Sequence, residues 1–172
     1  MTKFTIMITI FSTILGSCKV QHQPFQTVPF VDLERYTGLW YEIASFPQKF
    51  QKGCRCTTAE YKITGKNYIK VINKCQKPGK FASIEGKAFV VEGSGNAKLK
   101  VQFFWPFKGD YWIVELDDNY QWAAVGNENR KYLWILSRKP FIAENLYSEI
   151  LSRLSKKGFD ISKLNKTIHD CK

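Results

Sequence analysis

Leu99, Val101 and Phe103 alternate with Lys98, Lys100 and Gln102. That period of two puts the apolar side chains on one face of a strand and the polar ones on the other. Short runs rich in β-branched and aromatic residues recur from residue 40 to about 138. Tyr61-Lys62-Ile63 and Tyr68-Ile69-Lys70-Val71-Ile72 flank Thr64-Gly65-Lys66-Asn67, a hairpin signature. Gly93-Ser94-Gly95-Asn96 marks the turn before the Leu99 strand, and Gly126-Asn127-Glu128-Asn129 separates strands expected at 120–125 and 132–138. With further strands at 82–91 and 111–116, the pattern predicts an all-β meander of about eight strands, closed as a sandwich or a barrel.

The period then changes. Leu146, Ile150 and Leu154 recur at helical spacing, with Tyr147 and Leu151 beside them, so 143–154 is expected as a helix with one apolar face. Pro140 precedes it, and Lys156-Lys157-Gly158 closes it with cations and then glycine. One helix after a run of strands is expected to pack on the outside of the sheet.

The first residues follow neither pattern. Residues 1–17 carry an early cation, Lys3, then an apolar run from Phe4 to Leu15 without an acid. The run is too short for a stable transmembrane helix and has the length of a signal-peptide core. It ends in Leu15-Gly16-Ser17-Cys18, which resembles the bacterial lipobox, in which the cysteine is acylated and becomes the new N-terminus. Residues 18–29 are polar with two prolines and read as a tether, leaving 30–172 as the folded domain.

Composition narrows the chemistry. Lys and Arg exceed Asp and Glu by 26 to 15, so the domain favours anionic surfaces. The cations are scattered, with no basic helix or RNA-binding signature, and no nucleic-acid partner is expected. His22 and His169 stand beside no obvious nucleophile, and the chain has no G-x-S-x-G elbow, phosphate-binding loop or H-E-x-x-H pair. Glu42 and Asp117 are single acids; Glu42 alone is a candidate for facing a cavity. No catalytic residue, cofactor or metal is expected. Setting Cys18 aside, Cys54, Cys56, Cys75 and Cys171 suffice for two disulfides in an exported protein. Four cysteines allow three connectivities, and centring the hairpin turn on Gly65-Lys66 puts Cys75 opposite Cys56.

An ordered set of motifs now carries a resemblance. Gly38-Leu39-Trp40 has the form G-x-W, Asp117-Asp118-Asn119-Tyr120 follows a leucine where many relatives have threonine, and Arg138 ends the last strand. In this order the chain resembles the lipocalins, in particular the bacterial outer-membrane branch and its animal relative apolipoprotein D. The resemblance implies an eight-stranded antiparallel up-and-down barrel with the helix outside. It gives Gly38, Trp40, Asp117, Tyr120 and Arg138 a structural role, with Trp40 filling the closed end under Arg138.

The resemblance also turns Arg138 inward, so Leu136, Trp134 and Tyr132 share its face by alternation. Comparison with apolipoprotein D adds Tyr61 and Tyr36 and supports Phe103, Trp134 and Leu136 as ligand wall. It further implies Cys56–Cys171 and Cys54–Cys75. The expected function is a monomeric or homodimeric carrier of a hydrophobic small molecule, a fatty acid or lysophospholipid, anchored through Cys18 at the outer membrane. A flat ring ligand such as a sterol, haem-like pigment or bilin suits the same walls, and a few lipocalins are enzymes. Lys49, Arg55, Lys77 and Lys108 are expected in loops, some of them around the open end.

Overall fold

The computed structural model describes residues 26–171. The signal segment at 1–17 and Cys18 lie outside the described residues. Residues 26–29, read above as tether, already lie against the domain: the Val28 amide donates to the Ile113 carbonyl at 3.0 Å.

Eight strands follow one another as antiparallel neighbours: β1 (Gly38–Ser45), β2 (Arg55–Ile63), β3 (Ile69–Lys77), β4 (Lys80–Val90), β5 (Lys98–Phe104), β6 (Phe107–Leu116), β7 (Trp122–Gly126) and β8 (Leu133–Ser137). β8 pairs with β1 and β1 with β2, so the sheet closes into a barrel. Closure removes the exposed edges that an open sheet of this length would present. A short helix, α1 (Leu33–Tyr36), precedes the barrel, and α2 (Glu144–Lys156) follows it.

Alternation sorts the side chains into two apolar layers. Trp134 and Leu136 join Tyr61, Val71, Leu99 and Val125 inside the barrel. Their neighbours Leu133 and Ile135 point outward and pack under Tyr147, Ile150 and Leu154 of α2. The helix therefore sits where its apolar face predicted.

Several strand limits differ from the expectation: β4 spans 80–90 rather than 82–91, β6 begins at Phe107 rather than 111, and β8 ends at Ser137. Tyr120 adopts φ +60° inside the β6–β7 turn, so β7 starts at Trp122 rather than at 120. Tyr132 precedes β8. The β2–β3 loop also differs: it pairs Ile63 with Ile69, shifting the register by one residue from a turn centred on Gly65-Lys66. Continued along the hairpin, this register brings Thr57 rather than Cys56 opposite Cys75, and a bulge follows between Arg55 and Thr58.

The closed end explains the motif residues. The Arg138 guanidinium lies 3.8 Å from the centroid of the buried Trp40 ring. It donates to the carbonyls of Leu39 (2.9 Å), Arg35 (2.7 Å) and Tyr120 (3.2 Å), tying β1, α1 and the β6–β7 turn together. Trp40 Nε1 donates to the Tyr36 carbonyl at 2.8 Å. Gly38 has φ +92°, and a Cβ there would lie 3.4 Å from Arg138 Nη1. Asp117 Oδ2 accepts from the amides of Asn119 and Gln121, and the Tyr120 hydroxyl accepts from the Asp32 amide at 2.8 Å. Asp32 in turn caps α1, accepting from the amides of Glu34 and Arg35.

A ninth strand, β9 (Asn165–Lys166), was not foreseen. β1 and β2 pair only from Gly38 to Tyr41. Above that point the C-terminal segment pairs with β1 at Ala44 and Ser45. Thr167 donates to the Ile43 carbonyl at 2.9 Å, and Cys56 donates to the Ile168 carbonyl at 2.8 Å. The Cys56–Cys171 disulfide and an Arg55–Asp170 ion pair hold this segment in place, and Cys54 is joined to Cys75.

Replacing Trp40 by Ala is expected to cost roughly 3–5 kcal/mol of stability in denaturant unfolding, from lost burial and the cavity left behind. Unchanged unfolding would remove the plug role. A Cys56→Ser/Cys171→Ser double variant is expected to lose about 2–5 kcal/mol under non-reducing conditions, because the bond closes a loop across most of the domain. Equal stability would mean that β9 pairing alone holds the tail.

Candidate functional site

The end opposite Trp40 is formed by the β1–β2 connection, the Pro78-Gly79 turn, the Trp105-Pro106 turn and the β7–β8 loop. Accessibility rises toward it on β4, β5 and β8, whereas Thr57 on β2 and Cys75 on β3 stay buried. On β5, Leu99 is buried whereas Val101 and Phe103 are half-buried. On β3, Ile69 and Val71 are buried and Asn73 is half-buried; on β4, Ala88 is buried while Gly86 and Ala82 are half-buried. The barrel is sealed at its base and accessible in its upper half.

Three tyrosines make the floor of that upper half. The Tyr111 hydroxyl lies 2.8 Å from that of Tyr36 and 2.7 Å from that of Tyr61. Burial pushes all three phenols above their ordinary range, and for Tyr111 the two neighbouring hydroxyls add to the effect. The floor is thus neutral and satisfies its own hydrogen bonds.

The wall above the floor is mainly aromatic. The Phe103 ring lies over Gly86, where a Cβ would stand 2.7 Å from Phe103 Cδ1. Trp134 is half-buried and stacks parallel to Tyr132, with centroids 5.9 Å apart. Trp134 Nε1 donates to Gln51 Oε1 at 3.3 Å, and Gln51 Nε2 donates to Glu42 Oε2 at 2.6 Å. Gln51 comes from a 3₁₀ turn, Lys49–Gln51, in the β1–β2 connection. Glu42 is buried and also accepts at Oε1 from Ser45 Oγ (3.0 Å) and Thr167 Oγ1 (2.7 Å).

The structure places Tyr36, Tyr61 and Leu136 in the buried interior, with Phe103 and Trp134 packed against them. Tyr132 is exposed and belongs to the mouth rather than to the wall. Tyr111, Gln51, Thr57 and Asn73 were not singled out in the sequence, although alternation from Ile113, Tyr61 and Val71 points three of them inward.

Three of the four proposed loop cations lie on strands. Arg55 opens β2 and pairs with Asp170; Lys108 is on β6 with its Nζ 4.2 Å from the Phe89 ring centroid. Lys77 ends β3 and donates to the Phe50 carbonyl at 3.2 Å. Lys49 alone lies in a connection between strands, at the start of its 3₁₀ turn. Phe50, Phe81, Phe104, Trp105 and Phe107, all exposed, crowd the same end.

Comparison with known proteins agrees with this geometry. The family model for a lipocalin-like domain matches residues 31–169. The outer membrane lipoprotein Blc of Vibrio cholerae is 35% identical over 162 residues, covering 92% of this chain and 95% of the relative. Blc of Escherichia coli K12 is 42% identical over 134 residues, covering 77% and 76%. Insecticyanin from the tobacco hornworm Manduca sexta superposes with a TM-score of 0.70 at 23% identity, over 84% of each chain, and bears on the fold alone. With its barrel, its closed-end motif and these matches together, the chain belongs to the lipocalin family.

Proposed function

We propose that this lipocalin is a non-catalytic carrier that holds one hydrophobic or amphiphilic molecule, a fatty acid or lysophospholipid, in the upper half of its barrel. The observation that carries the reading is the gradient of burial: a sealed, self-satisfied floor beneath a half-accessible aromatic wall. A concave, mostly apolar pocket with few polar groups is the usual form of a small-molecule site. Each methylene buried there contributes roughly 0.8 kcal/mol, so an acyl chain gains affinity without a unique polar partner. The parallel Tyr132–Trp134 pair at the mouth favours a second reading, in which a flat ring stacks against the same wall.

Membrane anchoring belongs to the same proposal. The lipobox-like Leu15-Gly16-Ser17-Cys18 supports acylation of Cys18, and the two Blc relatives are named outer membrane lipoproteins. An apolar mouth flanked by Lys49 and Lys77 suits a protein that exchanges cargo beside anionic headgroups.

Titrating a detergent-free preparation with fatty acid or lysophospholipid is expected to perturb tryptophan emission below about 100 μM, roughly −5.5 kcal/mol. Trp134→Ala is expected to weaken the binding. Native mass spectrometry of the same preparation weighs whatever co-purifies. If neither lipid class binds in that range, the lipid-carrier reading falls and the ring ligand takes its place. For the anchor, a Cys18→Ala form is expected to leave the membrane pellet on fractionation; its retention there at the wild-type level would remove the acylation reading.

A further inference from the structure

The lysines that look scattered along the chain are gathered by the fold. Residues 55–110, from the start of β2 into β6, carry eleven Lys and Arg against four acids, Glu60, Glu85, Glu92 and Asp110. The other described residues are close to balance, with twelve against eleven. The excess positive charge therefore lies on one side of the barrel.

Alternation turns it outward. Lys70 stands between Ile69 and Val71, Lys87 beside Ala88, and Lys100 between Leu99 and Val101, all of which belong to the interior. Register then lines the lysines up. Lys62 pairs with Lys70, and Lys70 with Lys87, so three lysines face one another on three neighbouring strands. Like charges directly opposite one another destabilise a sheet. Glu60 pairs with Lys62 and Glu85 with Lys70, each at 2.8 Å. Lys87 and Lys108 lie over rings instead, 5.0 Å from the Tyr68 centroid and 4.2 Å from that of Phe89. A ring steadies an ammonium group without cancelling its charge. An anionic surface laid against this face relieves the row. Phe81, Phe104 and Trp105, all exposed, stand at the open-end edge of the same strands. Aromatic rings beside lysines suit a surface that sits among lipid headgroups.

The length of the N-terminal chain favours the same contact. The described chain enters at the closed end, where Val31 donates to the Gly95 carbonyl and Val28 to that of Ile113. From Gln26 back to Cys18 is eight residues, a reach of at most about 29 Å. β4 has eleven residues, and at a typical barrel tilt it accounts for roughly 28 Å of height. A barrel standing mouth-down on the bilayer that holds Cys18 would draw this tether out fully. Lying on its β2–β6 side leaves it slack.

We propose that the outer face of β2–β6 docks on an anionic phospholipid bilayer, with the barrel on its side and its mouth at the level of the headgroups. The pose rests on the Cys18 anchor proposed above; the face itself rests on charge and register.

The test uses the full chain with Cys18→Ala, so that no acyl chain contributes. Its sedimentation is compared on phosphatidylcholine vesicles and on vesicles with about 30% phosphatidylglycerol, in about 0.1 M NaCl. The anionic vesicles are expected to bind at least about tenfold tighter, and about 0.5 M NaCl to abolish the difference. Lys62→Gln/Lys70→Gln/Lys87→Gln is expected to remove most of the preference, each lysine near the surface counting for roughly fivefold. Lys87→Gln/Lys108→Gln, which breaks no carboxylate pair, is expected to lose at least about fivefold. Lys131→Gln/Lys139→Gln/Lys156→Gln removes the same charge outside this face and is expected to keep the preference within about twofold. Equal losses from the two triple variants would reduce the effect to net charge and overturn the face. Equal binding to both vesicle types would overturn it too, as would displacement by random duplex DNA at equal phosphate concentration, the mark of a general polyanion site. A wash of cell membranes in about 0.5 M NaCl separates face from anchor. Salt releases a chain held by the face alone and leaves an acylated one in the pellet. Failure of the face leaves the carrier reading standing, since its ligand titration uses no vesicles.

Discussion

The stack of Arg138 on Trp40 is the constraint on which the barrel's two ends come to differ. An indole this large cannot be left half wet at the base of a small barrel, and the guanidinium covers it while its N–H groups reach three separate backbone carbonyls. Those carbonyls join two segments far apart in sequence: the α1–β1 junction, at Arg35 and Leu39, and the β6–β7 turn, at Tyr120. Arginine does this where lysine would not, because its planar fork lies flat on a ring and still donates at its edges. Gly38 permits the approach, since its positive φ and missing Cβ leave the guanidinium room. With one end closed by a self-contained hydrogen-bonded plug, the opposite end is free to remain open.

The open end needs a different device. Where the β1–β2 pairing ends at Tyr41, a gap in the hydrogen-bonding ladder would expose backbone groups and admit water to the wall. The C-terminal segment fills that gap, hydrogen-bonding to β1 through β9 and Thr167 and to β2 through the Ile168 carbonyl. The Cys56–Cys171 bond and the Arg55–Asp170 pair fasten a segment too short and too polar to stay by burial alone. The same insertion carries Thr167 Oγ1 to Glu42, so the stave that completes the wall also orients the buried acid. Wall integrity and pocket chemistry are coupled through one polar side chain.

Legibility in the sequence follows where a periodic signal exists. The resemblance turned Arg138 inward, alternation carried that choice to Leu136 and Trp134, and the apolar face of α2 put the helix outside, because in these elements each burial choice repeats along the element. It failed where one residue decides. Tyr120 is a non-glycine residue in the left-handed region, which no pattern announces, and it delays the start of an expected strand by two residues. A two-residue polar strand such as β9 has no period to detect. The hairpin register depends on whether four or five residues turn, and the longer loop shifts every partner of Cys75. Thr57 and Asn73 escaped for the opposite reason: they are polar at positions where alternation would write apolar, so they read as breaks in the pattern.

Those breaks separate a structural core from a binding interior. A barrel optimised for stability would carry apolar side chains at Thr57 and Asn73, since orphaned polar atoms cost more than the hydrophobic groups that would replace them. Lower down, at Tyr36, Tyr61 and Tyr111, the same barrel does satisfy buried hydroxyls, each by another. The contrast lies within one molecule, between the sealed floor and the wall above it. The polar groups of the floor are paired within the chain, whereas Thr57 and Asn73 stand on the inward rows above it without a partner from the chain.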